Sequence, residues 1–328
     1  MAASENILLI RLKSIGDILF TLPAVHAIRE SFPAAKITFL TSKENVPLLR
    51  GFQEVNEVIA LDRAGFRSGK LLAACRDLSN LVRCLRREHF SLTIDFQGYG
   101  ETAFLSWWSG APERWGSVYR SGRAWAYTRG EWRNNRIHPA EWNLSLLRQC
   151  GLNISGSRNE FILPASALEE AKQFCAANKL DVAKKTLFLQ PFTSSARKNW
   201  PLENFLALAR HFHSEGVQII FGGGPNERPA LGPAYAAGFV VSAGAPLLVT
   251  AGLMKLSTLI AGGDTGLLHL GVAMGKRVAM LMSSAAPGNP HPFQYPDWAI
   301  TPPLGKNVPE ISTDAVIAIC ERALAGKE

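Results

Sequence analysis

The chain is poor in thiols and has no long apolar run. Its five cysteines (Cys75, Cys84, Cys150, Cys175 and Cys320) are scattered and form no C-x-x-C pair. That spacing indicates neither a disulfide framework nor a thiolate metal site, and suits a reducing cytosol. The longest apolar runs, such as 187–192 and 277–284, fall far short of the roughly 20 residues that span a bilayer. No basic stretch leads into an apolar core near the start, so no secretory signal is expected. Acidic residues are also in deficit, with 27 Asp and Glu against 35 Lys and Arg and a formal net charge of +8. Much of the excess lies in the first half, around Arg83, Arg86 and Arg87 and in 114–136. Such a field suits an acidic partner, or serves only as a solubilising surface. Basic residues interleaved with Trp can stack bases, but no nucleic-acid motif accompanies them, and nucleic acid is not expected as a partner.

What is present is enough apolar material for a large core. Hydrophobic residues make up 47% of 328, and that length favours two domains. Residues 6–12 form an apolar run without alternation, as expected of a strand buried on both faces. Further strands are expected over 36–41, 57–61 and 92–96. Helices are expected over 18–29, 46–51 and 70–87, with Pro23 early in its helix or starting it anew. Residues 107–142 differ: six Trp stand among arginines and small residues. Either a mobile aromatic and basic lobe or a surface excursion anchored by buried rings fits them. After Pro164 a second series begins. Strands are expected over 187–192, 218–221, 239–242 and 277–284. Helices are expected over 202–213, in part over 226–237, and over 247–260 and 313–324. Alternation of this kind predicts an α/β protein with two parallel sheets, bounded as 1–160 and 161–328. The terminal helix is expected either on its own domain or back on the first.

Four loops after expected strands carry chemistry. The first, 13–17, holds Lys13, Ser14, Gly16 and Asp17; the Asp17 carboxylate can cap a helix or act as a general base. The second, 193–201, offers Thr193, Ser194, Arg197 and Lys198, hydroxyls and cations suited to a diphosphate. The third, 222–227, has glycines for close approach and Glu227 to accept from ribose hydroxyls, without G-x-G-x-x-G spacing. The fourth, 262–269, sets Asp264 or Thr265 as an N-cap ahead of Gly266, with His269 one turn further on. A helix N-terminus suits a phosphate, and a capped structural loop is the plainer alternative. Three loops suited to a nucleotide diphosphate in one half, and a carboxylate in the basic other half, suggest a group transferase.

These residues carry a resemblance. Residues 7–19 (ILLIRLKSIGDIL) with Thr21-Leu22-Pro23-Ala24, Ile94-Asp95-Phe96-Gln97-Gly98, Arg197-Lys198-Asn199-Trp200-Pro201, Gly223-Gly224-Pro225-Asn226-Glu227 and 264–269 (DTGLLH) are similar to glycosyltransferase family 9, the ADP-heptose:lipopolysaccharide heptosyltransferases. The resemblance runs along nearly the whole chain and implies a GT-B fold, two Rossmann-like domains facing across a cleft. It implies inverting transfer of heptose from ADP-heptose to the lipopolysaccharide inner core, with neither metal nor cofactor, at the cytoplasmic face of the inner membrane. The implied partners are the nucleotide sugar, a lipid A–Kdo-type acceptor and the anionic membrane surface. Asp17 matches the general base and Lys198 the cation that steadies the diphosphate. Thr193, Ser194, Glu227, Asp264, Thr265, Gly266 and His269 match donor contacts. Lys13, Ser14, Gly16, Gln97 and Gly98 fall on the acceptor side. Residues 283–290 (SSAAPGNP) depart from the Gly-Pro-Thr-Asp-Pro type of sequence usual there, and Glu101 stands near where several members carry a base. A different sugar or acceptor, or a non-catalytic glycolipid or nucleotide-sugar binder on the same fold, are the alternatives.

Overall fold

The computed structural model describes residues 5–63 and 71–326, the side chains of 71–75 excepted. The chain divides into two compact units, Met1–Asn159 and Glu160–Glu328.

In the first unit the elements run β1 (Asn6–Ile10), α1 (Ile15–Leu19), α2 (Leu22–Ser31), β2 (Lys36–Ser42), α3 (Val46–Leu49), β3 (Glu57–Leu61), α4 (Leu71–Arg87), β4 (Leu92–Asp95), α5 (Gly100–Trp108), β5 (Glu113–Val118), β6 (Arg129–Trp132) and α6 (Pro139–Gln149). All strand pairs are parallel, in the order β3-β2-β1-β4-β5-β6. Central β1 is covered on both faces, and Ile7, Leu8, Leu9 and Ile10 are fully buried. That is why its sequence shows no alternation. Pro23 starts a helix anew: α1 ends at Phe20, and α2 opens with Leu22 and Pro23 in its first turn, where a missing N–H costs nothing.

The second unit runs α7 (Ala165–Ala177), β7 (Thr186–Gln190), α8 (Leu202–Ser214), β8 (Gln218–Phe221), α9 (Gly232–Ala236), β9 (Val240–Val241), α10 (Leu247–Leu256), β10 (Leu259–Gly263), α11 (Gly266–Ala273), β11 (Val278–Leu281), β12 (Ala299–Ile300) and α12 (Thr313–Leu324). Its parallel sheet has the order β12-β11-β10-β7-β8-β9. Each sheet therefore repeats one doubly wound plan, with the order reversing beside its first strand. Leu189, Phe205, Phe212 and Phe221 lie in the core of this unit, each such side chain contributing about 1.5–3 kcal/mol on burial. The terminal α12 packs on α8, β10 and β11, burying Val316 and Cys320.

Two stretches differ from the sequence expectation. Residues 247–260 are not one helix: α10 stops at Leu256, Ser257 turns extended, and β10 follows. Leu253, Leu256 and Ile260 keep helical spacing across the break, so periodicity does not mark where the helix ends. Residues 107–142 are not a separate lobe; buried Trp115 and Trp142 anchor them, as the second alternative expected, but they also form strands that the sequence did not indicate. They hold β5, β6 and the start of α6. Trp115 and Trp142 are buried, and the Trp142 indole N–H donates to Ser117 Oγ at 3.1 Å. Trp107, Trp125 and Trp132 are exposed. The helix expected over 70–87 is α4 from Leu71 on; Lys70 lies outside the described residues.

Candidate active-site loops

The singled-out loops leave the carboxyl ends of their strands, and all but 222–227, which follows β8, leave the two strands that flank the order reversal, where doubly wound sheets bind ligands. In the first unit these strands are β1 and β4, and their loops are tied together. Gln97 Oε1 accepts from the Leu12 N–H at 2.9 Å. The Arg11 guanidinium donates to Phe96 O at 2.7 Å and to Lys13 O at 3.1 Å, and pairs with Asp17 Oδ1 at 2.8 Å.

Asp17 sits in the first turn of α1, as its third residue. Its Oδ2 accepts from the Ser14 N–H at 3.2 Å and lies 3.3 Å from Ser14 Oγ. The carboxylate thus does help to cap the helix. It is also 40% exposed, so ligand and solvent can reach it. Gly16 is buried in α1, and Lys13 lies over the Tyr99 ring at 5.9 Å.

Gln97 and Gly98 are held by an acid, Asp95, to which the sequence alone assigns no role. Asp95 is fully buried and accepts from the N–H groups of Gln97 (2.8 Å) and Gly98 (3.0 Å) and from the Tyr127 hydroxyl (2.7 Å). Burial pushes the Asp95 carboxyl up, and these bonds pull against that shift without cancelling it. Gly98 has φ +69°, and a Cβ there would lie 1.9 Å from Ser117 O. Only glycine fits such a place. Arg11 was missed too; its one sequence signal is a cation at the carboxyl end of a buried strand.

In the second unit the strands beside the reversal are β7 and β10, which pair directly. After β7, Thr193 Oγ1 donates to Ser195 O at 2.8 Å and its N–H donates to Asn199 Oδ1 at 2.8 Å, which fixes the turn. Ser194 is exposed. Lys198 ends the short 3-10 turn Ala196–Lys198 and reaches the loop after β10, with Nζ 2.6 Å from Asp264 Oδ2. His269 Nε2 lies 3.2 Å from Asp264 Oδ1. Burial raises the Asp264 carboxyl, but the bonds from His269 and Lys198 outweigh it and hold the carboxyl below its ordinary range.

Of the two candidate N-caps, Thr265 holds the position. Its Oγ1 accepts from the Leu268 N–H at 3.4 Å and its carbonyl from the His269 N–H at 3.3 Å. Of the first-turn donors, the N–H groups of Gly266 and Leu267 remain for a ligand. The loops approach closely because β10 ends in glycine: a Cβ on Gly263 would lie 2.4 Å from Thr193 Cγ2. After β8, Glu227 accepts from the Gly224 N–H at 2.7 Å. Its carboxylate therefore holds the glycine turn, and it remains half-exposed.

Among the described residues, one group has metal-ligand spacing. His211, Glu215 and Glu321, on α8 and α12, bring ligand atoms within 4.8 Å of one another. They pair among themselves, with His211 Nε2 3.1 Å from Glu321 Oε1. No described helix is long and apolar enough to cross a membrane.

The second unit therefore offers anion-binding donors beside a positioned cation, and the first unit, taken by itself, offers a positioned carboxylate. Comparison with known proteins agrees. The family model of glycosyltransferase family 9 (heptosyltransferase) matches residues 78–307. The lipopolysaccharide core heptosyltransferase OpsX of Haemophilus influenzae is 21% identical over 234 residues, 69% of this chain and 62% of that protein. The matched stretch thus spans less than two thirds of that relative. Among solved structures, the glycosyl transferase family 9 protein of Veillonella parvula superposes with a TM-score of 0.88 at 20% identity, covering 99% of both chains. The Escherichia coli heptosyltransferase WaaC with ADP superposes with a TM-score of 0.77 at 20% identity, covering 97% of this chain and 99% of that one. These neighbours place the fold as GT-B. The chain belongs to glycosyltransferase family 9, the heptosyltransferase family.

Proposed function

We propose that the protein transfers a heptose from ADP-heptose to the inner core of a membrane-borne lipopolysaccharide acceptor, with inversion and without a metal. The acceptor hydroxyl oxygen attacks the anomeric carbon from the face opposite the diphosphate. Asp17 takes the hydroxyl proton as the new C–O bond forms. The bond from the anomeric carbon to the diphosphate breaks, and ADP leaves with its electron pair. Lys198, the Gly266 and Leu267 N–H groups and the positive end of α11 meet the charge on the departing diphosphate. Thr193 and Ser194 bond to phosphate oxygens, His269 lies on the sugar side, and Glu227 accepts from the ribose hydroxyls. Lys13, Ser14, Gly16, Gln97 and Gly98 line the acceptor side. The reaction runs at the cytoplasmic face of the inner membrane.

One observation carries this reading: Asp264 holds Lys198 at 2.6 Å beside the start of α11. A lysine fixed next to free helix-start donors is what a leaving diphosphate needs. The E. coli structural neighbours with ADP and with ADP-2-deoxy-2-fluoro heptose support the donor class, and the curated lipopolysaccharide heptosyltransferases support the acceptor class. Thermal melting with ADP-heptose, UDP-sugars and dTDP-sugars in separate samples tests it. Donor at about 100 times its Kd stabilises by about 2.7 kcal/mol, so ADP-heptose is expected to raise Tm. A rise with UDP- or dTDP-sugars alone overturns the donor assignment.

A further inference from the structure

Phe104, Trp107 and Trp125 form a continuous aromatic cluster. Phe104 and Trp107 stand on α5, and Trp125 comes from the 3-10 segment Ser121–Ala126. Ring centroids are 5.2 Å apart for Phe104 and Trp125 and 5.7 Å for Trp107 and Trp125. All three lie open to solvent, at 46%, 45% and 49% exposure. Single exposed aromatics are ordinary, but three in ring contact mark an interaction surface. Among the described residues neither Trp107 nor Trp125 has a hydrogen-bond partner for its indole N–H. Phe104 also lines a mostly apolar cavity of about 320 Å³ with Leu61, Leu78, Leu81, Leu105, Trp108 and Glu101, whose carboxylate is paired with Arg63 at 3.0 Å.

Charge decides what covers this face. Residues 1–159 carry 21 Lys and Arg against 14 Asp and Glu, and residues 160–328 carry 14 against 13, so nearly all of the positive excess belongs to the unit with the cluster. Arg86, exposed at the end of α4, donates to Trp108 O at 3.3 Å, and Arg123, two residues before Trp125, is half-buried and donates to Gly98 O at 3.1 Å, with the rest of its guanidinium open to a further partner. We propose that this face docks on an anionic lipid bilayer. The indole rings enter the headgroup boundary, where an apolar body and a polar N–H are both satisfied, and the arginines meet lipid phosphates. The inference extends the proposed membrane-borne acceptor and rests on it for its purpose, but vesicle binding reads it out alone.

The test is co-sedimentation with vesicles of phosphatidylcholine, with or without phosphatidylglycerol, for the wild type and for Trp107→Ser combined with Trp125→Ser. The wild type is expected on the phosphatidylglycerol vesicles, more weakly at high salt. The double variant is expected to partition at least about tenfold less, with an unchanged Tm and an unchanged donor-induced shift. If the double variant fails to fold, quenching of wild-type Trp fluorescence by brominated lipid is expected in its place. Equal binding by the variant, no wild-type binding to anionic vesicles, absence of that quenching, or a wild-type dimer abolished by the substitutions overturns the proposal. Vesicle binding without heptose transfer removes the proposed activity and leaves the docking face standing.

Discussion

Lys198 Nζ and Asp264 Oδ2, 66 residues apart in sequence, meet at 2.6 Å beside the reversal in strand order of the second sheet. The loop after β7 and the loop after β10 are thereby joined by one charged bond. The first sheet joins its corresponding loops, after β1 and β4, through Gln97 with Leu12 and Arg11 with Phe96.

If Lys198 steadies the departing diphosphate, Lys198→Ala removes a contact that strengthens as charge develops. Loss of one such group costs on the order of 10²–10³ in kcat. Lys198→Arg keeps the charge and is expected to retain part of the rate. Steady-state kinetics with ADP-heptose check both; an unchanged kcat in Lys198→Ala removes Lys198 from the mechanism.

Asp264 ties its stability contribution to pH in a definite direction. Its folded carboxyl lies below the ordinary value. The unfolded carboxyl titrates near the ordinary value of about 3.9, so the contribution is full above that pH. It is lost as pH falls further, through the folded value. Asp264→Asn is expected to lower Tm at neutral pH and to flatten the fall in Tm below about pH 4. Parallel melting curves for the two proteins across acid pH contradict this assignment.

Glu227 has two tasks that substitution can separate. Glu227→Gln keeps an oxygen for the Gly224 N–H, so stability is expected to stay close to wild type while KM for the donor rises. Glu227→Ala loses the turn bond as well, at about 1 kcal/mol. Urea unfolding and donor KM measured on both variants separate the tasks.

Gly98→Ala tests the acceptor-side loop. The new Cβ meets Ser117 O at 1.9 Å, and the backbone is at φ +69°. Backbone cannot yield there cheaply, and a loss of more than about 2 kcal/mol is expected in urea unfolding. Wild-type stability in this variant would mean that the loop relaxes freely.

The sequence made some of this legible for a physical reason and hid the rest for another. The apolar run at 6–12 is short for a buried helix and ends in Lys13-Ser14, so it reads as the strand that leads to the loop with Asp17. β10 is hidden because Leu253, Leu256 and Ile260 keep helical spacing across Ser257 and Thr258, into the strand that leads to Asp264. β5 and β6 were hidden by their Arg, Glu and Gly content, which outweighs the strand preference of Trp115, Val118 and Trp132. Site residue types were legible, since Lys198, Asp264, Thr265 and His269 all meet in one loop pair. Their partners were not: the Lys198–Asp264 bond depends on the adjacency of β7 and β10, which chain order does not display, and the Arg11–Asp17 pair depends on how the loop between β1 and α1 turns back.

The central claim is that Asp17 takes the acceptor proton. Single-turnover heptose transfer, with Asp17→Asn against wild type at saturating ADP-heptose, tests it most directly. The account predicts a rate at least about 10²-fold lower with the donor-induced rise in Tm unchanged. A wild-type rate in Asp17→Asn would contradict it, and would leave the carboxylate as a helix cap alone.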